Sequence, residues 1–244
     1  MIVNEYRSMP LPTFICTGDS YFAEKEHHLN SMVKAKGLPM LFVTLSMAET
    51  KWIHLKKILH NTDNGDINST NHPFHVCMYF MQRFRSLKKR LWNNSRLSGW
   101  KHICDFFERV EFQNHGAAHL HIVLWTEATI NEMISSNQIR STMPDPENEP
   151  ELYAKVRTHQ IHTCRPHLCG GPPPGEQCKR NFPRPLSNTT YNDPTALRYD
   201  YKAVTEEDRW IVLFHAPTLL AWDAHCNFQY VTSKGFARYR KIFS

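Results

Sequence analysis

The sequence predicts an α+β fold with a central, mainly antiparallel β-sheet and flanking helices, and three observations lead to this fold class. Hydrophobic residues make up 41% and aromatic residues 12% of the 244-residue chain, which is typical of a folded protein with a packed core. The stretch RVEFQNHGAAHLHIVLW, residues 109–125, alternates in the manner of two strands joined by a glycine-containing turn. Residues 75–92 instead repeat apolar residues at spacings of three and four, which indicates a helix.

The other elements follow from local patterns in chain order. We expect residues 1–30 to be irregular, residues 31–36 to form a short helix before a Gly-Leu-Pro break, and residues 40–47 to form a strand. Residues 127–158 are predicted to be helical at both ends of an acidic, proline-rich loop. The segment WIVLFHAPTLLAW, residues 210–222, is predicted to form an apolar strand and a turn.

These patterns indicate an irregular N-terminal segment, residues 1–30, and one domain over residues 31–244. A Cys/His-rich insertion is expected at about residues 159–186 of that domain. The formal net charge of +6 suits a polyanionic partner. Since no apolar run approaches the length of a membrane span and no P-loop motif is present, we expect no membrane partner and no ATP motor in this chain.

Two histidines stand one residue apart in the hairpin. Because residues i and i+2 of a strand share a face, His119 and His121 point to the same side. A five-residue loop, NHGAA, would pair Gln113 with His119 and Glu111 with His121, so that all four side chains form one polar patch. Two imidazoles with an amide or carboxylate oxygen suit Mg²⁺ or Mn²⁺ over a phosphate, with Zn²⁺ as an alternative. The other interpretation is a pair of neutral histidines that are hydrogen-bonded within the sheet.

The insertion concentrates metal-binding residue types. Three of the seven cysteines lie within residues 164–178, among several histidines. Thiolates and imidazoles at short spacings are the ligands of a closed, tetrahedral zinc site, which would hold together a Gly-Pro-rich segment without a core of its own. A loop with unpaired cysteines is the alternative. The predicted structural zinc ligands are His162, Cys164, Cys169 and Cys178, with His159 and His167 as substitutes.

The chain closes on TSKGFARYRKIF, which is predicted to be a helix capped by Thr232 or Ser233. Phe236, Tyr239 and Phe243 would share one face of this helix. That face is either an aromatic stripe that packs on the sheet or a position from which the phenol of Tyr239 acts.

Basic side chains near this helix are candidates for DNA contact. Lys234 and Arg238 lie one turn apart beside Tyr239, which suits a phosphate, and Arg180 and Arg184 belong to the insertion. The basic side of the helix over residues 75–92 either follows a phosphate backbone or is simply solvated.

Four segments together resemble the Helitron helicase-like N-terminal domain of Helitron-type transposon proteins, over nearly the whole chain. They are LPMLFVTLSMAETKW, GWKHICDFFERVEFQ with the following GAAHLHIVLW, HTCRPHLC…CKRNFPRP, and WDAHCNFQYVTSKGFARY. The family carries a nuclease of the HUH (His-hydrophobic-His) superfamily of rolling-circle initiators. One departure is His115, where the family usually has a basic residue.

The resemblance implies roles for individual residues. It implies that His119 and His121 bind the catalytic metal, with Gln113 as the third ligand and Glu111 as the alternative. Tyr239 matches the first catalytic tyrosine of the family's Y-x-x-x-Y pattern. The second tyrosine is missing, because Phe243 or Ile242 stands in its place.

The expected function is that of a metal-dependent nuclease that nicks and joins single-stranded DNA through a tyrosine. This fold and activity would be of the HUH type. A catalytically inactive DNA-binding or structural remnant is the runner-up, because the motor and the second tyrosine are absent. A third option is a metal-dependent hydrolase with water as nucleophile. The resemblance also implies a nuclear location and a helicase supplied by another chain.

Overall fold

The computed structural model describes residues 19–62, 67–112, 117–165, 169–170, 177–192 and 197–243. The strands are β1 (Leu41–Ser46), β2 (Ile103–Phe112), β3 (Ala118–Thr126), β4 (Ile139–Arg140), β5 (Phe214–His215) and β6 (Cys226–Tyr230). The helices are α1 (Asp19–Lys36), α2 (Ile53–Thr62), α3 (Pro73–Leu87) with a π-helical continuation (Lys88–Trp92), α4 (Ser95–Ser98), α5 (Ile130–Ser135), α6 (Pro150–His159), α7 (Ala216–Trp222) and α8 (Ser233–Phe243).

The main sheet has four strands in the order β2-β3-β1-β6, and all neighbouring strands run antiparallel. The strands β3 and β1 are the inner pair, and both of their faces are covered. This explains why LFVTLS and AHLHIVLWT are buried at nearly every position rather than at alternate ones. The α+β fold class and the mainly antiparallel sheet are therefore confirmed, with the histidine strand inside the sheet and β2 at its edge.

Helices cover both faces of this sheet. On one face, Leu120, Ile122 and Leu124 of β3 pack in a large core with Phe80 of α3 and Trp222 of α7. On the other face, Phe42, Val123 and Trp125 pack with Leu29 of α1 and Phe236 of α8. The tyrosine helix therefore lies on the sheet face that carries His119 and His121.

Two sequence-based assignments are corrected. Residues 1–30 are not irregular throughout, because α1 begins at Asp19, and its buried Leu29 anchors it on the sheet. The turn predicted after the strand in residues 210–222 is the helix α7. Its first turn contains Pro217, where the missing N–H of proline costs no helical hydrogen bond. The predicted strand shortens to Phe214–His215 because this helix follows at once.

The segment that contains the insertion is attached to the sheet by buried polar groups. The Gln160 side chain donates to the carbonyl of Cys226 (2.7 Å) and accepts from its N–H (3.1 Å). The Arg184 guanidinium donates to the carbonyls of Ser141 (2.9 Å) and Asp208 (2.8 Å). The Gln160 bonds hold the start of the Cys/His segment beside β6, and the Arg184 bonds hold its end against Ser141 and Asp208. In the part of the chain that the structure describes, no helix is long and apolar enough to cross a membrane.

Candidate functional site

Cross-strand pairing arranges polar side chains in rows on the face that α1 and α8 cover. One row runs through Glu111, His119 and Ser46 and continues to His225, whose carbonyl accepts the N–H of Ser46 (3.0 Å). The next two rows are Arg109, His121, Thr44 and Asn227, and then Phe107, Val123, Phe42 and Gln229. We call this set of rows the histidine face.

The hairpin register differs from the predicted one. Glu111 pairs with His119 rather than with His121, and Phe112 pairs with Ala118. Ala118 belongs to β3 because its side chain is buried and its carbonyl accepts the N–H of Met47 (3.2 Å). Since side chains alternate with a period of two, this shift leaves Glu111 on the same face as both histidines. Gln113, the expected third ligand, lies outside the described residues.

Each histidine has a polar neighbour on an adjacent strand. The His121 Nε2 atom lies 2.8 Å from Glu111 Oε2, and its Nδ1 atom lies 3.3 Å from Thr44 Oγ1. The His119 Nε2 atom lies 3.0 Å from Ser46 Oγ, whereas its buried Nδ1 atom has no hydrogen-bond partner among the described residues. A buried donor or acceptor without a partner is costly, and a bound water or metal ion would satisfy this nitrogen.

Burial determines the charge state of these imidazoles. Burial, together with the nearby His121 and His225, lowers the pKa of His119 to about 4. Burial also lowers the pKa of His121, although the hydrogen bond that it donates to the Glu111 carboxylate opposes this shift. Both rings are therefore neutral at pH 7, which is the form that binds a metal.

The two imidazoles and the Glu111 carboxylate suit a divalent cation by ligand type, since nitrogen and oxygen donors are combined on one face. Their donor atoms are not gathered as tightly as in the Cys/His cluster described below. Among the described residues, two groups of metal-binding side chains have all their donor atoms within 4.8 Å of one another, and neither group contains His119, His121 or Glu111. The Glu111 side chain is 51% exposed and paired with His121, so solvent leaves room for it to turn from this partner towards an ion.

Tyr239 is placed on the histidine face by α8. Thr232 caps this helix, because its hydroxyl accepts the N–H of Gly235 (2.8 Å). The Tyr239 ring stacks on Phe42 with 4.2 Å between ring centres, and Phe42 stacks on His121 at 5.8 Å. The Tyr239 hydroxyl donates to the Oε1 atom of Gln229 (2.8 Å). One aromatic ring therefore separates the phenol from the nearer histidine.

Two further features concern the end of α8 and Tyr230, a second tyrosine on the neighbouring strand β6. Arg109 of β2 donates to the carbonyl of Ile242 (2.6 Å), which ties the end of α8 to the edge strand. Tyr230 is 1% exposed, and burial raises the pKa of its hydroxyl. Tyr239 is half-buried and is the more accessible of the two. Lys234 is exposed on α8, whereas the side chains of Arg238 and Phe243 lie outside the described part of the chain.

A cavity of about 880 Å³ runs from Tyr239 and Gln229 past His225 to the Cys/His segment. Four arginines line it, namely Arg165, Arg180, Arg184 and Arg198. The Arg184 guanidinium is occupied by backbone carbonyls, so it supports the wall. We call this cavity the arginine cleft. Sequence reasoning missed His225, Gln229 and Arg198, because no local pattern marks them.

The Cys/His cluster consists of the four predicted residues, His162, Cys164, Cys169 and Cys178, with all donor atoms within 4.8 Å of one another. The sulfur atoms of Cys164 and Cys169 are 3.0 Å apart, and Cys178 Sγ lies 3.5 Å from His162 Nε2. In a tetrahedral zinc site these separations are about 3.8 and 3.5 Å. The Cys178–His162 separation fits such a site, whereas Cys164 and Cys169 would move apart on binding. The four residues form a group able to hold a metal, and zinc as the ion stays a prediction.

The surroundings hold these ligands in place. The His162 ring stacks on Phe182 with 4.4 Å between ring centres, and the Cys178 N–H donates to the Phe182 carbonyl (2.8 Å). A hydrogen bond with Cys169 and desolvation raise the pKa of Cys164 to about 12, and a bound cation would reverse this by favouring the thiolate. Of the predicted substitutes, His159 contacts Asp223 (3.2 Å), and His167 lies outside the described residues.

Comparison with known families gives one match. Residues 6–124 match the family described as the Helitron helicase-like domain at the N-terminus. The matched range includes Glu111, His119 and His121 and ends before the Cys/His cluster and Tyr239. No curated protein matches the chain. The match relates this chain to transposon proteins.

Proposed function

Because residues 6–124 match the Helitron helicase-like N-terminal domain, we propose that this chain nicks and rejoins single-stranded DNA, with Tyr239 as the nucleophile. The observation that carries the proposal is the stack of Tyr239, Phe42 and His121 on one sheet face. The phenol of Tyr239 also lines the cleft that the arginines line, so it faces both the histidine face and the cleft. We extend the proposal to a nuclear location and to a helicase supplied by another chain.

The reaction is a transesterification at phosphorus. A bond forms between the Tyr239 oxygen and the phosphorus, the bond to the 3′ oxygen breaks, and the phenolic proton ends on the 3′ hydroxyl. The reverse step rejoins the strand. A divalent cation bound by His119, His121 and either Glu111 or Gln113 would polarise a phosphoryl oxygen.

The chain's own residues orient the nucleophile. The Gln229 carbonyl oxygen accepts the phenolic hydrogen, which fixes the direction of the Tyr239 hydroxyl at the cleft. Phe42 holds the ring from its other side and is itself 5% exposed, so the position of the phenol depends on a buried residue of an inner strand. Such fixed placement lowers the entropic part of the barrier.

The arginine cleft suits the DNA backbone. Arg180 is exposed and Arg198 is half-buried, so both are accessible to phosphates. Phosphate contacts of this kind position a strand without reading its sequence. Lys234 and Arg238 of α8 remain proposed phosphate contacts.

A second candidate is a DNA-binding or structural remnant without catalysis. Two observations favour it. The position of the second family tyrosine holds Phe243 or Ile242, neither of which has a hydroxyl. Glu111 is paired with His121, and its carboxylate does not converge with both imidazoles on one point.

The deciding experiment incubates labelled single-stranded DNA with the protein and Mn²⁺. The proposal requires a covalent protein–DNA adduct that Tyr239→Phe abolishes. The matched control is Tyr191→Phe, which removes a phenol that is 47% exposed on the surface, and it should form the adduct normally. Cleaved ends without an adduct would identify water as the nucleophile, and binding without cleavage would favour the remnant.

A further inference from the structure

The end of the hairpin away from its turn carries three metal-binding side chains. His102 directly precedes β2, Cys104 is its second residue, and Glu127 directly follows β3. One donor atom from each lies within 4.8 Å of the other two, and His102 Nδ1 is 3.6 Å from Glu127 Oε1. We propose that these residues form an open site for a thiophilic divalent cation such as Zn²⁺, distinct from the histidine face and from the Cys/His cluster.

A β-bulge creates this juxtaposition. Ile103 pairs with Thr126 and Asp105 pairs with Trp125, so Cys104 is an extra residue without a partner in the ladder. The bulge lets Ile103 pack against the large core while Asp105 reaches Lys36 of α1. Cys104 is left exposed between them.

The other two ligands are held by the backbone. The N–H of Glu127 donates to the carbonyl of His102 (3.0 Å), which extends the ladder by one pair beyond Ile103 and Thr126. Directly paired residues project to the same face, so the imidazole and the carboxylate lie side by side. Their positions are set by the hairpin and do not depend on a flexible loop.

The donor set favours a borderline-soft ion. An imidazole nitrogen, a thiolate and a carboxylate oxygen are the three kinds of zinc ligand in proteins, and three protein ligands leave one position open. In a tetrahedral site the nitrogen–oxygen separation is about 3.4 Å, close to the observed 3.6 Å. Lys101, next to His102, is paired with Glu132 and so does not compete for Glu127.

The site is open to solvent. The side chains of His102 and Glu127 are 65% and 61% exposed, so an ion reaches them without any opening of the fold. Binding would link the first residue before β2 to the first residue after β3 and close the open end of the hairpin. This inference does not rest on the proposed nuclease activity.

Cobalt(II) tests the site, because a thiolate ligand gives a charge-transfer absorption that nitrogen and oxygen ligands do not. The protein is first loaded with zinc, and weakly held zinc is removed with a mild chelator before cobalt is titrated. The histidine face has no thiolate within its rows, so cobalt bound there gives no charge-transfer band. The readout is the band that the unsubstituted protein shows and Cys104→Ser lacks.

We expect this difference band to saturate at one equivalent of cobalt. Glu127→Gln should weaken cobalt binding by at least about tenfold, as is usual when a ligand shell is damaged. Cys77→Ser, which removes a half-exposed cysteine on α3, should leave the band unchanged. A band of equal size in Cys104→Ser, or no band in the unsubstituted protein, would overturn the proposal. All three substitutions are outside the core, and circular dichroism verifies that the variants fold.

Discussion

The substitution Phe42→Leu tests whether the aromatic stack positions the nucleophile. Phe42 is 5% exposed and stacks on both Tyr239 and His121. Leucine keeps most of the buried apolar volume and removes two aromatic pairs, each worth about 0.5–1.5 kcal/mol. The free energy of unfolding should therefore fall by about 1–3 kcal/mol, and a chain of this size should lose several degrees in Tm, which thermal denaturation measures.

The rate of adduct formation should fall much further than the loss of stability alone would cause. A nucleophile misplaced by about 1 Å costs about 100-fold in rate, so we expect a 10- to 100-fold slower reaction at a temperature where the variant is fully folded. The assay is single-turnover formation of the protein–DNA adduct with Mn²⁺.

Phe107→Leu is the matched control for this test. Phe107 is 8% exposed on the same face and packs edge-on against His28 of α1. Val123 separates it from Phe42 in the same row. It should lose stability but keep the rate of adduct formation. Equal rate losses in both variants, or a normal rate in Phe42→Leu, would refute the positioning argument.

Four further perturbations test the rest of the site. His121→Ala should abolish Mn²⁺-dependent nicking while circular dichroism stays unchanged, because an open site contributes little to folding; a variant that nicks normally excludes this ligand. Cys178→Ser should lose about one tightly held zinc in metal analysis and lower the Tm, whereas protein that is fully folded in chelator and free of metal would contradict a structural zinc. In chelator, the urea midpoint should fall as the pH drops from 6.5 towards 4. Burial lowers the pKa of both His119 and His215 to about 4, so the unfolded chain binds protons first; a flat profile would show that these rings are not buried. Arg180→Ala should weaken binding of single-stranded DNA and reduce its salt dependence by about one ion, and an unchanged salt slope would remove this arginine from the DNA path.

Local patterns were sufficient for most of the secondary structure. The periodicity over residues 75–92 predicted α3 and its continuation, and the alternation over residues 109–125 predicted the hairpin. Only the last part of α1, residues 31–36, was predicted, because the amphipathic pattern of this helix is weak and Leu29 is its one fully buried contact in the cluster, with Met32 and Val33 packed beside it. The helix α7 was missed because an apolar run as short as this one does not distinguish a strand from a buried helix.

The hairpin shows how far a pattern reaches into a site. The predicted register was wrong, yet Glu111 lies on the face of both histidines because the period of two survives a shift by two residues. Which nitrogen or oxygen atoms approach each other depends on the turn and on the neighbouring strand β1. Those were not available from the alternation alone.

The sequence by itself determined the α+β class, the common face of His119 and His121, and the four residues that gather in the Cys/His cluster. These features depend on contacts that are close along the chain, where residue spacing limits the geometry. Only the tertiary structure decided that Phe42 lies between His121 and Tyr239, and that the arginine cleft leads from the phenol to the cluster. The physical reason is that β1 pairs with β6, which brings Leu41 beside Tyr230 although most of the chain lies between them. Long-range pairing of this kind is selected by the packing of the whole core and not by a local pattern.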